Sequence, residues 1–104
     1  MMENSQAIKH YGDFRSYYQM VCEKGELSPL HISFMLGLFF FHDGLLFSSP
    51  FRASRRKLMK YSGIRSVTTY HKCLSHLIAK GYLEYRPSWH PTKASEFRFV
   101  LATN

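Results

Sequence analysis

The sequence predicts a mainly α-helical domain with a small β-hairpin, and three observations lead to this prediction. Helical signals mark four segments, whereas alternation of apolar and polar residues is clear only towards the C-terminus. Residues 54–101 follow the order helix, tight turn, helix, hairpin. Residues 46–104 hold eleven Lys and Arg against two Asp and Glu, while residues 1–45 hold three against five. This order and this basic excess predict a single winged helix-turn-helix domain over residues 1–104.

The first helix is predicted from Tyr11 to Glu23. Its apolar face recurs at intervals of three and four residues: Tyr11, Phe14, Tyr18 and Val21. Gly25 is expected to end the helix in a left-handed conformation. The polar residues 1–6 are expected to fray.

The second helix is predicted from Pro29 to His42, because Ser28 is a favoured N-cap and Pro29 a favoured first residue. This helix is apolar on nearly every side, so it must be buried all round. Either a second copy of the chain covers the excess, or the first helix and the hairpin do so within one chain. The small size of the chain favours the homodimer, with residues 1–47 supplying an interface at Phe34, Leu38 and Phe41.

Residues 48–104 are predicted to form the helix-turn-helix and the wing, after a possible short strand at Leu45–Phe47. Ser54 caps a third helix over Arg55–Tyr61, anchored in the core by Leu58 and Met59. Gly63 breaks this helix, and Ile64 fills the turn.

The fourth helix is predicted from Val67 to Lys80, with Ser66 as its N-cap and Gly81 at its end. Its inward face is expected to hold Val67, Tyr70, Leu74, Leu77 and Ile78. Two strands follow, Tyr82–Arg86 and Glu96–Leu101, joined by a loop over Pro87–Ala94.

The outward side of the fourth helix is the predicted site of base contacts. A recognition helix contacts base edges through its N-terminal half, where Arg and Lys can pair with guanine and a Thr methyl can meet a thymine methyl. The alternative is an ordinary solvated face, but the neighbouring elements favour DNA. The predicted base-contacting residues are Arg65, Ser66, Thr68, Thr69 and Lys72.

The third helix and the wing are the predicted contacts to the DNA backbone. Arg55, Arg56 and Lys57 oppose the helix dipole, which an anionic partner would explain better than helix stability does, although a solvated face is the alternative. Trp89 either contacts a partner or folds back onto the core. The full set of predicted backbone contacts is Arg55, Arg56, Lys57, Lys60, His71, His76, Arg86, Trp89, His90, Lys93 and Arg98.

Other functional classes find little support in the sequence. The six His and two Cys lack zinc-site or disulfide spacing, and no catalytic motif is present, so we expect no metal, no cofactor and no enzymatic activity. The longest apolar run, residues 34–41, is too short to cross a membrane, and the N-terminus lacks a signal-peptide pattern. A soluble cytoplasmic protein is expected.

The segment TTYHKCLSHLIAKGYLEYRPSWHPTKAS resembles small winged-helix proteins of bacterial mobile elements, over Thr68 to Leu101. The shared features are a Y-H-K-C-L helix start, a G-Y-[LI] helix end, an aromatic strand and a P-S-x-H-P wing tip. The wider similarity is to MarR-like and replication-initiator winged helices. The resemblance implies DNA binding in the regulation, excision or replication of such an element.

The sequence therefore predicts a homodimer that binds double-stranded DNA sequence-specifically and regulates transcription. Two alternatives remain: an accessory factor in replication or excision, and a winged-helix module that binds another protein.

Overall fold

The computed structural model describes residues 13–100, which form four helices and a three-stranded antiparallel sheet. The helices are α1 (Phe14–Lys24), α2 (Pro29–Phe41), α3 (Arg55–Ser62) and α4 (Val67–Ala79). The strands are β1 (Phe51–Arg52), β2 (Leu83–Arg86) and β3 (Glu96–Phe99), in the spatial order β1-β3-β2. No helix within residues 13–100 is long and apolar enough to cross a membrane.

Side-chain caps begin all four helices, and they confirm the predicted starts of α2, α3 and α4. In each case the cap accepts the backbone N–H three residues further on; the caps are Asp13, Ser28, Ser54 and Ser66. Gly25 ends α1 at a φ of 65°, as predicted. The predicted start of α1 at Tyr11 lies outside the described residues, as do residues 1–6 and Leu101.

The buried face of α1 differs from the prediction. Tyr17 and Val21 are buried, whereas Phe14 is 39% exposed and Tyr18 is only half-buried. The hydroxyl oxygen of Tyr17 lies 2.8 Å from the carbonyl oxygen of Tyr82 and 2.9 Å from that of Val100. A buried tyrosine hydroxyl needs hydrogen-bond partners, and these two carbonyls supply them. They therefore help to hold Tyr17 in the core, although its hydroxyl group is typical of a partly exposed residue.

Stacked aromatic rings join α1, α2 and the sheet. The ring of Phe99 lies 4.5 Å from that of Phe39, 5.0 Å from Phe47 and 5.4 Å from Phe51, measured between centroids. The ring of Tyr17 is 5.6 Å from Phe99. The sheet therefore covers one side of α2 within the chain.

This cover corrects the expected dimer interface. Phe34 and Leu38 have no exposed surface, because α4 and the other core residues of the same chain enclose them, so they are not available to a second copy. Phe41 is half-buried. The apolar surface that α2 leaves uncovered lies elsewhere, at Leu30 (42% exposed), Leu36 (43% exposed) and Phe40 (62% exposed).

A close crossing joins α2 to α3. Gly37 faces Ser62, and a Cβ at Gly37 would collide with the Ser62 Oγ. The hydroxyl of Ser33 donates a hydrogen bond to the Ser62 carbonyl at 2.5 Å. Further along, the ring of Phe40 stacks on that of Tyr61 at 4.2 Å. The absence of a side chain at Gly37 thus sets how near α3 lies to α2.

The first strand lies later in the chain than predicted. Residues 45–47 form no strand, and β1 follows instead at Phe51–Arg52, where no element was predicted. Phe51 pairs with Phe97, and Arg52 with Glu96, so β1 joins the hairpin of β2 and β3. The segment that leads into α3 is thereby attached to the hairpin.

The buried face of α4 is rotated from the prediction towards Cys73. Tyr70, Leu74 and Leu77 are buried as expected, but Cys73 joins them. Val67 and Ile78 are 43% and 39% exposed. The rotation follows from packing on two sides, since α4 contacts both α2 and β2.

Candidate nucleic-acid interface

The N-terminal half of α4 presents one polar face. Thr68 and Lys72 are exposed and lie four residues apart, on the same side of the helix, and Arg65 is exposed in the turn just before the N-cap Ser66. Thr69 is half-buried at the edge of this face. The Ser66 hydroxyl accepts the Thr69 N–H at 3.2 Å, so part of its hydrogen-bonding capacity is used as a cap. Of the five predicted base-contacting residues, Arg65, Ser66, Thr68 and Lys72 are exposed and Thr69 is half-buried.

The four predicted cations of α3 are all exposed: Arg55, Arg56, Lys57 and Lys60. No acidic residue lies in the first turn of this helix, and three cations stand at its positive end. Ser54 caps the helix through the Lys57 N–H, at 3.2 Å from its Oγ. The helix start is thus stabilised by its cap, and its charges face solvent.

Arg55 lies close enough to α4 to influence a buried tyrosine there. The pKa of Tyr70 is raised to about 12, chiefly by burial and also by Tyr85, while the guanidinium of Arg55 acts in the opposite direction. Tyr70 lies on α4 and Tyr85 on β2. The N-terminus of α3 therefore borders both the recognition-helix candidate and the hairpin.

Both carboxylates of the basic half of the chain are neutralised on the sheet. Glu96 pairs with Arg52 at 3.7 Å, and Glu84 accepts the Arg98 Nε–H at 2.9 Å, with a second contact from Nη2. Eleven Lys and Arg occupy residues 46–104, so nine are left with no carboxylate within 4 Å in the described part of the chain. These nine are Arg55, Arg56, Lys57, Lys60, Arg65, Lys72, Lys80, Arg86 and Lys93.

Arg98 is therefore not the free cation that the sequence suggested. Its side chain points to the outer face of the sheet, directly across from Glu84 in the register of β2 and β3. A cross-strand ion pair occupies its guanidinium, and because the side chain remains exposed this pair would compete with the predicted DNA backbone contact.

His76 also differs from its predicted role. It is half-buried, and its ring stacks on that of His31 with a centroid distance of 4.2 Å. Its Nε2 is buried and has no hydrogen-bond partner among residues 13–100. The rotation of α4 turns His76 towards α2, away from the polar face, which corrects the predicted backbone contact. His71 remains exposed, beside the edge of the Tyr70 ring at 5.3 Å.

The remaining predicted contacts lie at the end of β2 and in the loop between β2 and β3. Arg86, His90 and Lys93 are exposed, and Trp89 is 90% exposed. Of the two alternatives for Trp89, folding back onto the core is therefore not observed.

Two residues that brace this loop were missed. The Arg52 Nη1 donates to the Ala94 carbonyl at 2.6 Å, and the Ser95 Oγ accepts the Ser88 N–H at 3.3 Å. Phe51, Arg52 and Ala53 alternate between apolar and charged residues, as a strand does, but this pattern is too short to distinguish a strand from a loop.

No three or more His, Cys, Asp or Glu side chains in residues 13–100 are grouped so that they could hold a metal ion. Comparison of the chain with protein-family models, with curated proteins and with solved structures gave no match.

Proposed function

We propose that this chain is a winged helix-turn-helix protein that binds double-stranded DNA and has no enzymatic activity. The observation that carries the proposal is the set of nine cations without a carboxylate partner, eight of which lie on α3, at the N-terminal half of α4 and on the β2–β3 hairpin. An excess of one charge on neighbouring elements is the electrostatic footprint of a polyanion-binding surface.

The order of elements supports a specific mode of docking. The exposed face of Arg65, Thr68 and Lys72 suits insertion of α4 into the major groove, where side chains can hydrogen bond to base edges. The cations at the start of α3 would then meet phosphates, and the β2–β3 loop would extend along the adjacent backbone as the wing. In this arrangement α4 specifies sequence, while α3 and the wing supply affinity.

The biological role that we propose is transcriptional regulation in the cytoplasm, on a bacterial mobile element. An accessory role in replication or excision uses the same surface and differs in the location of the binding site. The genes that neighbour the binding site distinguish these two roles.

The exposed aromatic cluster of α2 and α3 favours a second contact, with protein. Phe40 is 62% exposed and stacks on Tyr61, which is 46% exposed, and Leu36 lies one helical turn before Phe40. We propose that a second copy of the chain covers this cluster, so that two α4 helices read two half-sites roughly one helical turn of DNA apart, ~34 Å.

Selection of bound duplexes from random DNA tests the proposal. We expect an enriched consensus with two-fold symmetry, because a symmetric dimer places two equivalent helices on the DNA. Enrichment without symmetry would support DNA binding by a monomer. No enrichment above that of a variant in which Arg55, Arg56, Lys57, Arg65 and Lys72 are all Ala would refute sequence-specific DNA binding and would favour the protein-interaction module.

A further inference from the structure

Trp89 is the only tryptophan of the chain, and 90% of its surface is exposed to solvent. No other ring of residues 13–100 packs against the indole. Apolar surface in water is unfavourable by about 25 cal/mol per Å², and an indole is among the largest side chains that can be left there. Its exposure is therefore a feature that the core does not explain.

The loop that carries Trp89 is held by local hydrogen bonds. The Ser88 Oγ accepts the His90 N–H at 3.2 Å, and the His90 Nδ1 accepts the Thr92 N–H at 3.2 Å. The His90 carbonyl accepts the Lys93 N–H at 3.3 Å. Pro residues at 87 and 91 further restrict the backbone on either side. The indole is thus presented by a turn with a defined conformation.

The turn is also fixed to the body of the domain. The Arg52 side chain bonds the Ala94 carbonyl, and the Ala53 N–H donates to the Ser95 carbonyl at 3.2 Å. The Ser95 hydroxyl lies 3.3 Å from the Tyr85 hydroxyl. These bonds connect the loop to β1 and β2. The position of Trp89 is therefore coupled to that of the segment that leads into α3.

The charges around Trp89 indicate the chemistry of its partner. Arg86 at the end of β2, and His90 and Lys93 on the loop, are exposed, and none has a carboxylate within 4 Å among residues 13–100. These side chains suffice for phosphate contacts, to which an indole with a single N–H donor adds little. The indole gains most by burying its faces against another aromatic surface, and in DNA that surface is a base.

We propose that Trp89 inserts into the minor groove of the bound duplex and stacks against a base step, which bends the DNA. This inference rests on the proposed function. Apolar side chains inserted between base steps partly unstack them and kink the duplex, while flanking cations hold the phosphates on both sides. At the base step next to Trp89, sequence preference would then come from how easily the DNA deforms, and not from a hydrogen bond.

The single tryptophan makes the test direct. The full chain is titrated with the duplex enriched by selection, while indole emission, binding by anisotropy and DNA bending by energy transfer between dyes at the two duplex ends are recorded. We expect quenched emission and a shorter end-to-end distance in the complex. Trp89→Ala should lower affinity about tenfold to a hundredfold, the range for one lost base stack, and abolish most of the bend. Trp89→Phe should restore part of both.

A matched control is Leu46→Ala, which truncates another exposed apolar side chain (67% exposed) outside the loop and should change neither affinity nor bend. Binding with unchanged emission, or a Trp89→Ala complex as tight and as bent as the wild-type complex, would overturn the inference while leaving the proposed function standing. It would also leave the indole for a protein partner. Failure of every duplex to bind would overturn both.

Discussion

The ring of His31, in the first turn of α2, stacks on the ring of His76, near the end of α4, with centroids 4.2 Å apart and planes inclined by 29°. The Nδ1 of His31 lies 2.6 Å from the Ser28 Oγ, so the cap of α2 also orients this ring. Two imidazoles in face-to-face contact can remain close only while at least one is neutral. The packing of α4 against α2 at this point therefore depends on whether these two rings are charged.

The first prediction concerns pH. Burial, and then the nearby His76, lowers the pKa of His31 below its ordinary value of 6.5. The unfolded chain therefore takes up this proton first as the pH falls, so the free energy of unfolding is highest above pH 6.5 and decreases as the pH drops through the folded-state pKa. Thermal melts from pH 7.5 to 5 should show this decrease.

His31→Gln removes the titrating group, so its melting temperature should fall less over the same range than that of the wild type. His71→Gln is the matched control, because His71 is exposed on α4 outside the His31–His76 contact, and this variant should keep the wild-type slope. Parallel curves for the wild type and His31→Gln would contradict the prediction.

The second prediction concerns salt. If about six cations on α3 and the wing contact phosphates, the logarithm of the binding constant should fall with the logarithm of salt concentration at a slope near −5, since each contact contributes ~0.9. Lys57→Ala or Lys93→Ala should weaken binding to all sequences alike and flatten the slope by about one. Arg15→Ala removes one positive charge on α1 and should leave the slope unchanged. A wild-type affinity that is independent of salt would refute the backbone contacts.

The third prediction concerns sequence preference. Arg65→Ala and Lys72→Ala should each lose ~1–3 kcal/mol of discrimination at one base pair of the consensus, because a bidentate base contact is lost. Competition assays with single-substitution duplexes measure this loss. Ser75→Ala, on the same helix but nearer its C-terminus, should retain the wild-type preference. If both cation variants keep the full preference, base readout lies on the wing.

The fourth prediction concerns the crossing of α2 and α3. Gly37→Ala should destabilise the fold by about 1–3 kcal/mol, because its Cβ would collide with the buried Ser62 Oγ. Ser62→Ala should be close to neutral, since this Oγ has no hydrogen-bond partner among residues 13–100.

The double variant Gly37→Ala/Ser62→Ala should recover most of the loss, with a coupling energy between about 0.5 and 3 kcal/mol in urea unfolding. Additive effects of the two substitutions would show that α3 shifts away from α2 without resistance.

The fifth prediction concerns assembly. Phe40→Asp should convert a dimer into monomers and weaken binding to a two-fold symmetric duplex, because the charge would be buried in the proposed contact. Light scattering measures the mass against the 12.2 kDa monomer. Leu45→Asp, at a fully exposed loop position, is the matched control. A monomeric wild-type chain at micromolar concentration would remove the dimer from the proposal.

The starts of three helices could be predicted from sequence, because capping is a local effect. Ser28, Ser54 and Ser66 each bond a backbone N–H three residues away, and no distant contact is involved. The spacing of apolar residues predicted the buried face of each helix less well, because it does not show which elements pack on either side of the helix. Cys73 was missed on α4 for this reason, and Tyr17 was missed on α1 because its partners are carbonyls near the other end of the described chain.

In the candidate site, too, local features could be predicted from sequence and long-range contacts could not. Exposure of the α3 cations followed from their charge alone. The pairing of Arg98 with Glu84 and the stacking of His76 on His31 depend on the strand register and on the rotation of α4, which one sequence does not reveal. The short strand β1 was missed because its two residues form too small a pattern to distinguish from a loop.

The contact of Tyr17 with Val100 has a consequence for the kinetics of folding. The aromatic core needs Phe99 from β3 as well as Tyr17 from α1, so it closes only when both ends of the described chain have met. Pairing of β1 with β3 likewise encloses α3 and α4 in one long loop. Closing such a loop costs entropy before its contacts form, so these non-local pairings are expected to limit the rate. During synthesis, α3 and α4 can form early, but the wing cannot be fixed to them until β3 has emerged.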